Sequence, residues 1–304
     1  MIEVLASAVL PVFALVAIGF GLGRLGLFDP AMASAVNRLV FLVSVPALIF
    51  GLLAQSPFER FAWPALAAFA GVELAMYGAG FLVARYLFGR ETREALLIGL
   101  ATAFANHLLF VLPIAETLFG RAAALPIVAI ASVDALFVYG GTLLLMDALS
   151  EQGAAAGGAL KAIARNPQVL ATLAGLGVGL SGLDLADGVY TFTDFAGGTA
   201  APCSLFALGV VLSRQESDAA PLLPLAISGL KLVLYPLLCW ALIVGLLDTE
   251  MAWSRPTMMV AAAPSSAMAF VLALNYRVPA TAIARTVLLT MLGALLTVTY
   301  VASI

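Results

Sequence analysis

The segment Asn106-His-Leu-Leu-Phe-Val-Leu-Pro113 places an amide, an imidazole and a proline inside an otherwise apolar run at 94–119. A second interruption, Pro264-Ser-Ser266, breaks the apolar run at 255–275. Paired interruptions of this kind are typical of discontinuous transmembrane helices, whose broken ends form the binding site of many transporters. The alternative is a pair of ordinary proline kinks, which membrane helices tolerate.

The composition indicates that these runs lie in lipid. Of the 304 residues, 63% are apolar and 10% are charged, whereas soluble domains are about half apolar and a quarter charged. Apolar runs of about 20 residues, the length that crosses a ~30 Å hydrocarbon layer, follow one another at short intervals. We therefore predict an all-α integral membrane protein with no attached soluble domain. No cleavable signal sequence is expected before the first run.

Ten transmembrane helices are predicted, separated by short loops. Breaker and capping residues mark these loops, as at Asp29-Pro30, at Asn166-Pro167 and in the polar stretch from Asp184 to Asp194. The predicted spans are 2–23, 34–54, 62–87, 94–119, 122–148, 166–183, 192–213, 220–247, 255–275 and 279–303.

The chain is predicted to consist of two halves. A Gly/Ala-rich stretch at 150–165 is interpreted as a cytoplasmic linker between a first repeat, 1–149, and a second repeat, 166–304. Pro46 in span 2 and Pro202 in span 7 stand at matching places in similar segments, which supports a repeat.

The distribution of basic residues predicts the orientation of the spans. Nine Lys and Arg residues fall on one side and three on the other, which places both termini outside by the positive-inside rule. Because each half has an odd number of spans, the second half is then inverted relative to the first. The majority side carries Arg24, Arg38, Arg85, Arg90, Arg93, Lys161, Arg165, Arg214 and Arg277, and the minority side carries Arg60, Arg121 and Arg255.

Motifs along essentially the whole chain resemble the auxin efflux carrier family. The resemblance implies two inverted five-helix repeats, as in the bile acid/sodium symporter fold, in which broken helices 4 and 9 cross. It implies a panel of helices that supports or dimerises, a carboxylate docked near the crossing and elevator-like transport. The motifs are Leu10–Phe13 to Gly26–Phe28, Val45–Leu48, Asn106–Pro113, Asn166-Pro167, Lys231-Leu232, and Ala263-Pro264 to Phe270–Ala273.

The resemblance assigns Asn106, Pro113 and Pro264 to the crossing. Met268 stands where many bacterial relatives carry a polar residue, so Ser265 and Ser266 are nominated as the polar side chains of the second break. Pro46 and Pro202 complete the candidate substrate site.

Helix physics independently favours an anion at such a break. An unwound helix leaves backbone N–H groups free, and the positive end of a half-helix dipole faces the gap. The Asn106 amide can donate to a carboxylate. Alternatively, Asn106 merely caps the half-helix.

His107 is the only histidine of the chain. Histidine is the side chain whose ordinary pKa lies closest to neutrality, so His107 could couple substrate occupancy to a proton. The alternative is a packed neutral histidine that is hydrogen-bonded to a carbonyl group.

Five further ionisable residues within the predicted spans are candidates for a functional role. An ionisable residue inside a membrane is by default a functional hypothesis, so Asp134 is predicted to bind a proton or cation or to pair with a basic residue. Glu116 is a second candidate for ion coupling. Glu73 and Lys231 lie at equivalent depths in spans 3 and 8, which suits a structural ion pair or a support site. Arg285 either snorkels to the interface or attracts anions.

The predicted function is that of a secondary transporter for a small organic anion, a carboxylate that is auxin-like or malate- or malonate-like, in the bacterial inner membrane. Alternatives are a sodium-coupled symporter of the bile acid type, a channel and a non-transporting membrane sensor. Sodium is less favoured than protons, because few amide or acidic ligands surround the two breaks. A homodimer is expected.

Other partners and activities are disfavoured. No cofactor is expected, and the sequence shows no metal cluster, nucleophile triad or phosphate loop that would indicate an enzyme. The net charge of −3 and the lack of a basic cluster argue against nucleic acid as a partner.

Overall fold

The computed structural model describes residues 1–149, 165–214 and 222–304, and within these ranges the chain is helical and contains no β-strand. The principal helices, in chain order, are α1 (Ile2–Arg24), α2 (Pro30–Ala54), α3 (Trp63–Leu87), α4 (Thr92–Ala103), α5 (His107–Phe119), α6 (Arg121–Ala148), α7 (Pro167–Ser181), α8 (Asp187–Leu212), α9 (Leu222–Leu246), α10 (Met251–Ala261), α11 (Met268–Asn275) and α12 (Thr281–Ser303).

Seven of these helices in the described ranges are long and apolar enough to cross a membrane, namely α1, α2, α3, α6, α8, α9 and α12. Helices α5 and α7 are shorter apolar segments. This is the pattern of an integral membrane protein, as the composition predicts.

The two interrupted spans are broken where the sequence predicts. The run at 94–119 forms α4 and α5, and the run at 255–275 forms α10 and α11. The predicted loop from Asp184 to Asp194 is wrong in part, because α8 already begins at Asp187. An acidic residue in the first turn of a helix is favoured by the helix dipole, so polarity there did not mark a loop. The predicted linker lies outside the described residues, apart from Arg165.

The helices associate in two groups. In the first group α1 packs along α8, and α2 packs along α7 and α8. We call α1, α2, α7 and α8 the panel. In the second group α4 packs against α3 and α11, α9 against α12, and α10 against α6 and α12. We call α3 to α6 and α9 to α12 the bundle, which contains both helix breaks.

Glycine brings the helices of the panel into backbone contact. A Cβ atom added at Gly19 of α1 would collide with the Phe206 carbonyl oxygen, and one added at Gly209 of α8 would collide with the Val16 carbonyl oxygen. Small residues of this kind let membrane helices approach closely enough for van der Waals packing to hold them together. Each helix therefore has a glycine where the backbone of the other helix makes contact.

Candidate functional site

The two helix breaks cross each other in the bundle. The Asn106 N–H donates to the Pro264 carbonyl oxygen at 3.0 Å, and the Ser266 N–H donates to the Phe104 carbonyl oxygen at 2.9 Å. These bonds pair the two connecting segments in antiparallel fashion around Ala105 and Ser265. Non-helical backbone is tolerated at membrane depth only where such groups are satisfied by protein or line a cavity.

The end of α4 is held by side chains from the second half of the chain. The last carbonyl groups of a helix have no partner within that helix. The Ser265 hydroxyl donates to the Ala101 carbonyl oxygen at 2.6 Å, and the Lys231 ammonium donates to the Ala103 carbonyl oxygen at 2.9 Å. Thr290 accepts a bond from the Ser265 N–H at 3.1 Å. Ser265 and Lys231 therefore keep the break open by replacing helical hydrogen bonds.

The start of α5 leaves the Asn106 side chain available. The backbone carbonyl of Asn106 accepts from the N–H groups of Phe110 and Val111 at 3.2 and 3.3 Å. Its side chain makes no capping hydrogen bond, and it has no other partner among the described residues. Asn106 therefore occupies the N-cap position, as the alternative expects, but its amide does not cap the half-helix. The residue is 8% exposed, so this unused amide is almost enclosed by protein.

His107 joins the start of α5 to α6. Its Nε2 atom lies 2.8 Å from Asp134 Oδ2, and its Nδ1 atom accepts a hydrogen bond from the Leu108 N–H at 2.9 Å. Because Nδ1 accepts, the proton of the neutral imidazole lies on Nε2 and is donated to Asp134. The hydrogen-bond partner of the His107 ring is thus the Asp134 carboxylate, and not the carbonyl group that the alternative of a packed neutral histidine predicts.

Glu73, Asp134 and Lys231 meet beside His107, and we call these four residues the charged cluster. Glu73 interacts electrostatically with both Asp134 and Lys231. Both Glu73 carboxylate oxygens and Asp134 Oδ1 are buried without a hydrogen-bond partner. Glu73 and Lys231 face each other, as their equivalent depths suggest, but Lys231 gives its hydrogen bond to Ala103 rather than to Glu73. The Lys231 ammonium also lies 4.4 Å from the centre of the Tyr235 ring.

Locally widened helices position three members of the charged cluster. His107 and Asp134 are the first residues of π-helical turns, and Lys231 lies within another, Leu230–Leu234. Proline follows two of these turns, at Pro113 and Pro236, where it removes a backbone donor and pushes the preceding turn outward. Prolines in the sequence could have marked these turns, but nothing in the sequence pairs Glu73 with Asp134.

The remaining nominated residues occupy different places. Pro113 is half-buried within α5, and Pro264 is buried at the crossing. The Ser266 hydroxyl accepts from the N–H of Met268, the first residue of α11, at 3.3 Å. Pro46 and Pro202 belong to the panel, where Pro46 is half-buried and Pro202 is exposed.

The panel nevertheless reaches the crossing, because α8 packs against the first turn of α5. Near the two panel prolines, the hydroxyl groups of Ser44 and Thr199 share a hydrogen bond of 2.7 Å. Glu116 has Arg121 and Asp194 as its charged neighbours and is not brought to Asp134. Arg285 is half-buried on α12.

Crossed, broken helices beside buried ionisable groups define a protein of the membrane-transport class. A family profile described as membrane transport protein matches residues 4–302. The chain therefore belongs to this family, that of the auxin efflux carriers, as the motifs predict.

A relative from Rhizobium meliloti (strain 1021), described as "Putative malonate transporter", is similar along nearly its whole length. The two sequences are 27% identical over 301 residues, which cover 97% of this chain and 94% of the relative. Both comparisons indicate a multi-pass membrane transporter rather than an enzyme.

Proposed function

We propose that the protein is a secondary transporter that carries a small organic anion with a carboxylate group across the bacterial inner membrane. The observation that carries this proposal is the unused, nearly buried Asn106 amide at the start of α5. Among the described residues, neither atom of this amide is one of the fully buried polar atoms that lack a partner, so the unpaired amide is accessible and can donate to the carboxylate of a ligand.

The anion is expected to bind between the half-helices that begin at the crossing. Both α5 and α11 begin next to the paired segments of the crossing, and each has the positive end of its dipole at that end. The Asn106 amide adds a neutral donor. Recognition by neutral donors lets the anion be released again on the other side of the membrane.

A dicarboxylate suits two converging helix N-termini better than a monocarboxylate, since each carboxylate can take one of them. The name of the Rhizobium relative supports malonate as the first substrate to test. Malate and an auxin-like aromatic acid are the next candidates. Pro46 and Pro202 would then flank the path from the panel side.

Movement of the bundle against the panel would carry this site across the membrane, which is an elevator mechanism. Both breaks belong to the bundle, and the panel is tied together by its glycine contacts. A fixed panel is also the natural surface for a homodimer.

The proposed topology has ten spans in two inverted repeats, with α4–α5 and α10–α11 as the broken ones and both termini outside. Cysteine labelling on a Cys-free background tests it. Glu59→Cys should react with an impermeant reagent in right-side-out vesicles, and Ala155→Cys should react only after the vesicles are opened. External labelling at Ala155 would refute the orientation.

Sodium coupling is the second candidate mechanism, because the unpaired oxygens of Glu73 and Asp134 are the kind of ligand that a hard cation takes. The Lys231 ammonium beside Glu73 opposes it, since the site already holds a cation.

Uptake by purified protein in liposomes tests the proposed function. Malonate should accumulate faster than in liposomes without protein, and the same anion should raise the melting temperature of the purified protein, because a ligand stabilises the state that it binds. Malate and aromatic acids extend the screen. If no carboxylate is transported and none shifts melting, the proposed function is wrong.

A further inference from the structure

The two ring nitrogens of His107 connect the charged cluster to the anion site. Nε2 contacts Asp134, and Nδ1 accepts the N–H of Leu108 in the first turn of α5. That N–H is one of the groups that a helix terminus offers to an anion. His107 therefore accepts a hydrogen bond from a backbone N–H group that the substrate is expected to use.

We propose that His107 is the binding site of a proton that is transported together with the organic anion. This inference rests on the proposed function and deepens it. The proton comes from water on one side of the membrane and binds the lone pair of Nδ1, while the proton on Nε2 stays in its bond to Asp134. It leaves from Nδ1 to water on the other side, and no other bond is made or broken.

Protonation of Nδ1 changes the start of α5 in two ways. The nitrogen becomes a donor, so the Leu108 N–H loses its acceptor and becomes free for the carboxylate. A positive charge also appears one residue from Asn106. Both changes favour an anion, which means that the anion and the proton strengthen each other's binding.

The groups that face His107 allow one further positive charge only when an anion is present. Asp134 on α6 touches it, and Glu73 on α3 interacts with Asp134. Lys231 on α9 interacts with both carboxyl groups and has Tyr235 and Cys239 as its own neighbours. If one of the two carboxyl groups is protonated, the other balances the charge of Lys231, and the cluster is neutral while His107 is neutral. An imidazolium would then leave an uncompensated buried charge, which is costly. A bound carboxylate compensates it, so proton and anion should move together.

The neutral state can be tested without any substrate, because the chain has a single histidine. Nitrogen-15 NMR of protein purified with a histidine-free tag should show one imidazole with its proton on Nε2. Addition of malonate near neutral pH should convert this signal to an imidazolium. A proton on Nδ1 in the substrate-free protein, or an imidazole that stays neutral in the saturated complex, would overturn the inference.

Proton uptake during binding gives the second readout. In weakly buffered solution the unmodified protein should take up about one proton per malonate bound, and its affinity should fall about tenfold per pH unit where binding requires that proton. His107→Gln can keep the neutral hydrogen bonds but cannot take a proton, so proton uptake and pH dependence should disappear, and malonate binding should stay at the weak level that the unmodified protein shows at high pH. Glu94→Gln is the matched control, because Glu94 is a buried acid that pairs with Arg90, 3.5 Å away, outside the charged cluster.

The outcomes separate this inference from the proposed function. Malonate binding without proton uptake, or uptake that survives in His107→Gln, overturns the inference and leaves the transporter intact. Binding that requires sodium rather than choline also overturns it, in favour of sodium coupling. Failure of every carboxylate to bind overturns the proposed function and the inference with it.

Discussion

The panel and the bundle are both built from membrane helices, and glycine contacts occur in both, since Gly99 of α4 also meets the Tyr77 carbonyl oxygen of α3. The bundle differs in that its broken helices are also held by side-chain hydrogen bonds. In the panel, α1 and α8 meet through glycines so closely that backbone touches backbone. In the bundle, the broken helices are held by side-chain hydrogen bonds from Ser265 and Lys231 to carbonyl groups of α4. The first kind of contact depends on shape and the second on polar groups that have exchangeable partners.

This difference indicates which part of the molecule is suited to change its state. Close-packed glycine contacts have one good geometry, because any added atom collides with backbone. A polar crossing can exchange one set of hydrogen bonds for another when a proton or an anion arrives. The panel is therefore suited to support, and the bundle to binding and movement.

The largest expected effect is in the panel. Gly19→Leu places a side chain against the Phe206 carbonyl, where neither backbone can yield, so we expect loss of the folded, monodisperse protein in size-exclusion chromatography. Gly21→Leu is the matched control, since an added Cβ there meets nothing within 4 Å. Equal behaviour of the two variants would show that the panel is not held by glycine contact.

A smaller but still large effect is expected at the charged cluster. Lys231→Met leaves the Ala103 carbonyl unpaired and removes the cation beside Glu73. Breaking a buried charged interaction costs on the order of 3–5 kcal/mol. Adding Glu73→Gln should restore part of the melting temperature, because it removes the uncompensated acid. A double variant no more stable than Lys231→Met would show that the two residues are not coupled.

The smallest effects compare one hydroxyl in each region. Ser265→Ala leaves the buried Ala101 carbonyl without this bond and should cost about 1–3 kcal/mol. Ser44→Ala breaks the panel bond to Thr199 and should cost about 0.6 kcal/mol, the average for hydrogen bonds within membranes. Thermal melting in the same detergent measures both. A larger loss from Ser44→Ala would reverse the assignment of polar contacts to the bundle.

The sequence was sufficient to predict features that depend on local pattern. Long apolar runs predict the membrane helices, and Asn106, Pro113 and Pro264 predict the breaks, because polar groups and proline disrupt a helix wherever it lies. The start of α8 was mispredicted, because a polar residue such as Asp187 is common both in loops and in the first turn of a helix, and its presence does not distinguish the two.

The charged cluster could not be predicted in the same way. Glu73, Asp134 and His107 come from different helices, and their meeting depends on how those helices pack. The positions of these residues along the chain do not predict which helices pack together. The role of Ser265 was likewise unforeseen, because a serine near a break can serve either the substrate or the backbone, and here it bonds the backbone.

The central claim is that the Asn106 amide at the crossing binds the carboxylate, and calorimetry of malonate binding tests it most directly. Asn106→Leu keeps approximate volume but removes the amide donor and acceptor, so binding should weaken by ~1–3 kcal/mol, or about five- to more than a hundredfold. Asn106→Ser should weaken it less, because a hydroxyl still donates, and both variants should elute as folded protein. If Asn106→Leu binds malonate as tightly as the unmodified protein, the anion site lies elsewhere.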